Sequence, residues 1–151
     1  MRHNRPDHIQ GISMRRFPLI AIPALLLVLL VNGCASDVRS ENLTTTLERY
    51  ASVMRWGDFA SAEQFVDPKV REEHPLSSVE LSRFSQVRVS SYDDGDGPAA
   101  GGENEARQIV QIGLINLNTQ AGRTVVDHQL WRYDPVKKQW WLMSGLPNIS
   151  Q

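Results

Sequence analysis

The sequence predicts an α+β domain in which two or three N-terminal helices pack on a curved four-stranded antiparallel sheet. Three observations carry this. Leu47, Tyr50, Ala51 and Met54 recur at helical spacing. Val110, Ile112 and Leu114 alternate at strand spacing. The helical patterns all precede the strand patterns, an order typical of α+β domains.

The first helix is expected over Thr44–Trp56, with a cap from Thr44, Thr45 or Thr46 and a stop at Gly57. Asp58 can cap a second helix that turns Phe59, Ala62, Phe65 and Val66 inward and ends at Pro68. Ser77-Ser78-Val79-Glu80 reads as a capping box, which starts a short third helix running to about Phe84. Strands follow at Gln86–Tyr92, Ala106–Asn116, Thr124–Tyr133 and Gln139–Ser144. Val87 and Val89 share one face of the first strand. Asp93–Glu103 is rich in Gly and Asp and reads as a loop.

A different segment precedes the domain. Arg15 and Arg16 lead into the apolar run Phe17–Val31, and Asn32-Gly33-Cys34 follows. A basic region, an apolar region and a small residue at a cut site form a secretory signal. The run is short against the ~20 residues a bilayer needs, and it contains Pro18 and Pro23. Val31-Asn32-Gly33-Cys34 resembles the lipobox of bacterial lipoproteins. That resemblance implies cleavage between Gly33 and Cys34, a diacylglyceryl thioether on Cys34 and acylation of the new amino group. Each buried methylene contributes about 0.8 kcal/mol, so two or three chains hold a soluble domain durably where one does not. By the enterobacterial sorting pattern, in which Asp after the cysteine retains a lipoprotein in the inner membrane, the resemblance together with Ala35 and Ser36 implies the outer membrane, with the domain facing the periplasm. Met14 offers a compact alternative start to Met1. The expected organisation is a signal peptide over residues 1–33, a lipidated tether over 34–43 and one domain over 44–151.

Cys34 is the only cysteine, so a hydrophobic core and no disulfide must hold the domain. From residue 35 onward there are twelve Lys and Arg against sixteen Asp and Glu, a net charge of −4. Nucleic-acid binders are basic and cluster Lys and Arg on one face, so nucleic acid is not an expected partner. The expected partners are membrane lipid, through acylated Cys34, and an envelope protein.

Tyr50–Pro68 is a helix, a Gly-Asp break and a second helix closing near Asp-Pro, and a Trp-rich hairpin spans Trp131–Leu146. Together these resemble the nuclear-transport-factor-like cone fold, which includes ketosteroid isomerases and polyketide cyclases, and small lipoproteins with that core. The resemblance implies a cone-like shape with a pocket between helices and sheet. Enzymes of that group place an Asp or Tyr acid/base inside the cone. Fold alone does not give function.

Asp127 and His128 are neighbours on a predicted strand and must point to opposite faces, so they form no dyad. His74 and His128 have no metal-ligand spacing, and Asp94, Asp96 and Glu105 lack the Gly and the ligand that a calcium loop needs. No nucleophile motif or phosphate loop is present, and no cofactor is expected. The pocket or interface candidates are Tyr50, Trp56, Asp127, Trp131 and Trp141. Trp140 and Trp141 must face opposite ways. The expectation is a non-catalytic binding or accessory module. The alternatives are an apolar-ligand pocket near Tyr50, Trp56 and Trp131, or an isomerase- or cyclase-like enzyme using Asp127.

Overall fold

The computed structural model describes residues 21–150. Helix α1 spans Ala21–Trp56, α2 Phe59–Ala62, α3 Pro68–Glu73 and α4 Ser78–Phe84. The strands are β1 Val87–Asp93, β2 Ala99–Gly102, β3 Glu105–Asn116, β4 Gly122–Asp134 and β5 Gln139–Leu142. The strand order is β1-β3-β4-β5, every pairing is antiparallel, and the sheet curls into a half-barrel. Helices before a curled antiparallel sheet make this the α+β fold that the element order predicts. Residues from Asp37 onward form one compact unit. Among the described residues, no helix is long and apolar enough to cross a membrane.

The stripe on α1 does what its period requires. Tyr50, Ala51 and Met54 are buried, and Leu47 packs beside them. The helix does not start at the threonines. Thr44 Oγ1 donates to the Ser40 carbonyl at 3.2 Å and Thr46 Oγ1 to the Asn42 carbonyl at 2.7 Å. Hydroxyls that bond back four residues sit inside a helix and do not cap it. Residues 37–43 are therefore helical where a tether was expected. Arg39 fastens this stretch to the sheet. It donates to the Glu103 carbonyl at 2.7 Å and to Asn104 Oδ1 at 3.0 Å, and its own carbonyl accepts from Trp140 Nε1 at 3.1 Å.

Asp58 caps α2, accepting from the Ser61 amide at 2.6 Å. A 3-10 turn, Glu63–Phe65, continues it. Pro68 opens α3, where the sequence suggested only a stop. Asp67 caps that helix by accepting from the Lys69 and Val70 amides, and Pro suits the first helical position because its missing N–H would have no partner there. Between these helices Val66 bridges Leu142, and the Asp67 amide donates to the Leu142 carbonyl at 3.0 Å. The chain thus covers the free edge of β5, as edge strands require.

The capping box of α4 forms as predicted. Glu80 Oε2 accepts from the Ser77 amide at 2.9 Å, and Ser77 Oγ accepts from the Glu80 amide at 3.2 Å. Ser77 Oγ also donates to Glu80 Oε2 at 2.6 Å, and this bond together with the one from the Ser77 amide holds the Glu80 carboxyl below its usual range. Ser77→Ala is expected to lower stability by about 1 kcal/mol, read as a shifted urea midpoint with unchanged slope.

The Gly-rich segment holds a strand that its composition conceals. Strand β2 pairs with Glu105–Arg107 at the start of β3, while β1 pairs with Gln111–Asn116 at its end. All four β2 residues are exposed, so no burial pattern marks them. The core lies between the inner sheet face and the helices. The Phe59 and Phe84 rings stack at 4.7 Å, and the Tyr50 ring meets Phe65 at 5.5 Å and Trp131 at 5.3 Å, both edge-on.

Candidate functional site

Alternation along β3 and β4 builds a polar row on the inner face of the sheet. Gln108, Val110 and Ile112 face inward from β3, and Val125, Asp127, Gln129 and Trp131 from β4. The register sets Gln108 opposite Gln129 and Val110 opposite Asp127. A register shift between Val89 and Ser91 turns Tyr92 inward as well. Helix α1 lays Tyr50 over this row.

Gln129 organises the cluster. Its Nε2 donates to Asp127 Oδ2 at 2.8 Å and to Tyr92 Oη at 3.1 Å. Its Oε1 accepts from Trp131 Nε1 at 3.1 Å. An indole N–H can only donate, so the amide oxygen must face Trp131 and the nitrogen must face the carboxylate. Of the four buried side-chain atoms that have no hydrogen-bond partner among the described residues, two lie here, Tyr50 Oη and Gln108 Oε1.

Burial dominates the electrostatics. It pushes the Asp127 carboxyl above its usual range, against the opposing effects of the Gln129 hydrogen bond and of neighbouring His128. It pushes Tyr92 up to about 12, and it raises Tyr50 well above the ordinary phenol range, with Asp127 and Tyr92 adding to the shift. Both phenols are therefore neutral at physiological pH. Charged forms are disfavoured where solvation is lost, and each neutral phenol offers a hydrogen-bond donor.

Tyr50, Asp127 and Trp131 come together in this cluster. Tyr50 and Trp131 are 0% exposed and Asp127 is 7% exposed. His128 points to solvent, as its odd–even relation to Asp127 demands. Trp56 does not join them. It is 84% exposed at the end of α1, so Tyr50, Trp56 and Trp131 do not line one pocket. Trp140 is buried on the inner side against Tyr133. Trp141 is half-buried on the other face, its ring centroid 5.5 Å from Lys137 Nζ. The backbone of Gly33 and Cys34 is helical within α1, while the Cys34 side chain and the Arg15-Arg16 region lie outside the described residues. Among the described residues, no three His, Cys, Asp or Glu side chains are placed to hold a metal ion.

Sequence reasoning missed Tyr92, Gln108 and Gln129. A signal existed for two of them. Gln129 lies two residues from both Asp127 and Trp131, and Gln108 is in phase with Val110 and Ile112. Tyr92 had none, because the strand period from Val87 and Val89 places Ser91 inward instead.

No protein-family model, curated protein or solved structure matches this chain.

Proposed function

We propose that the protein is an outer-membrane lipoprotein, anchored by acyl chains on Cys34, whose α+β domain faces the periplasm as a non-catalytic binding module. The observation that carries this is the segment Met14–Cys34, a basic start and an apolar run closing on Gly33-Cys34. A non-catalytic role is supported by the packing of the interior. Asp127 is held by Gln129, and the rings above it, Tyr50 and Trp131, are fully buried. A general base needs hydrogen-bond reach to a substrate proton, and the Asp127 carboxylate instead accepts from Gln129 beneath buried rings. The outer sheet face leaves Ile109 and Val126 exposed, which suits contact with an envelope protein.

Mass spectrometry of membrane fractions tests the anchor. The wild type is expected to yield a triacylated N-terminal peptide starting at Cys34. Cys34→Ser is expected to yield no acylated peptide. A wild-type chain that keeps residues 17–31 and carries no lipid would overturn the proposal.

A further inference from the structure

A cleft of about 240 Å³ opens between α1 and the β1–β3 edge, outside the ring-packed interior. Its lining includes Glu48, Ala51 and Arg55 from α1, Asp94 after β1, and Tyr92 and Gln108 from the sheet. The volume lies below the usual range for drug-sized ligands and suits a small molecule. Gln108 is the unusual member. It is 4% exposed, it lines the cleft, and its Oε1 has no hydrogen-bond partner. A buried acceptor left unpaired carries a desolvation cost that a donor-bearing ligand would remove.

The charges around it select the donor. Glu48 and Asp94 are exposed carboxylates on the lining. Arg55 is the cation among these residues. Its guanidinium lies 5.2 Å from the Tyr92 ring centroid and donates to the Tyr92 carbonyl at 3.1 Å. With two carboxylates against one guanidinium, the lining is net acidic. Gln108 Oε1 accepts and cannot donate. Acceptors in an acidic setting favour a cation that carries N–H groups, since hydrogen bonds to ionised donors are roughly twice as strong as neutral ones.

We propose that this cleft binds a small organic cation of the alkylammonium class, its N–H donated to Gln108 Oε1 and its charge balanced by Glu48 and Asp94. This does not depend on the lipid anchor, because every residue involved lies in the domain. The cleft adjoins the Asp127 cluster through Tyr92 and through Gln108, which lies opposite Gln129, but Asp127 itself is not on its lining.

The test is an amide NMR titration of the full-length protein in uncharged detergent at constant ionic strength. The probes are n-butylammonium chloride and the neutral n-butanol. Saturable shifts at Ala51, Tyr92 and Gln108 are expected with butylammonium and not with butanol. Gln108→Leu is expected to weaken binding by about 10- to 100-fold, the loss of one charge-assisted bond. Gln108→Glu is expected to tighten it, since a carboxylate replaces the amide. If Gln108→Leu does not fold, the exposed pair Glu48→Gln and Asp94→Asn serves instead and is expected to weaken binding with the fold intact. Three results would each overturn the proposal: no saturable shift with butylammonium, equal binding of butanol, or a folded Gln108→Leu or rim-pair variant that binds as well as the wild type.

Discussion

Trp131→Ala is expected to lower the unfolding free energy by about 3–5 kcal/mol, the range for truncating a large buried aromatic. Trp131 is fully buried, packs edge-on against Tyr50, and donates its indole N–H to Gln129. Truncation opens a cavity under α1 and leaves Gln129 Oε1 unpaired beside it. Domains of this size are stable by about 5–15 kcal/mol, so the variant would sit close to unfolding. With a single cysteine in the chain, no intramolecular disulfide offsets the loss. Trp131→Phe separates the two effects. It keeps a ring against Tyr50 but removes the donor, for an expected loss of about 1–3 kcal/mol. Urea unfolding followed by far-UV circular dichroism reads both. A Trp131→Ala loss of under ~1 kcal/mol, the size of an ordinary substitution, would contradict the central role given to this ring.

The helices and long strands were legible because burial follows a simple period in them. The α1 stripe and the inner positions of β3 are examples. The failures have separate physical causes. Thr44 and Thr46 bond back along α1, so a residue type that favours caps lies within the helix. Pro68 breaks one helix and starts the next, and composition does not distinguish the two roles. Strand β2 is held by backbone pairing with β3 and buries no side chain, so it leaves no hydrophobic signature.

The candidate site was legible in part for a related reason. Parity separated Asp127 from His128, but it could not say which one faces inward. Both faces of β4 are partly apolar, with Val125 and Trp131 inside and Val126 and Leu130 outside. Pairing with β3 decides the matter, because Asp127 lies opposite fully buried Val110. Tyr92 depends on a one-residue register shift in β1, and such a shift sends every later side chain to the other face.

Asp127→Asn is expected to stabilise the domain at neutral pH by about 1–2 kcal/mol, because it removes a buried charge that no salt bridge among the described residues balances, while keeping the side chain's shape. The asparagine Oδ1 can still accept from Gln129 Nε2, so the cluster keeps its central bond. The pH dependence gives the sharper test. Burial raises the Asp127 carboxyl above its unfolded value, so the folded chain binds the proton more tightly than the unfolded chain. The contribution of this group to stability is therefore fully present below the unfolded carboxylate range. It is lost as pH rises through the raised folded value and is flat beyond it. Other carboxylates shift the opposite way. Glu80 and Asp134 are held low by hydrogen bonds, and their stabilisation is lost as pH falls. The difference between wild type and Asp127→Asn isolates the one group. The gain from the substitution should grow with pH across the window between the unfolded and folded Asp127 values, then level off. Urea midpoints measured from acid to neutral pH read this curve. A gain independent of pH would show that Asp127 titrates alike in both states, and a loss at neutral pH would show that its charge is stabilising where it lies.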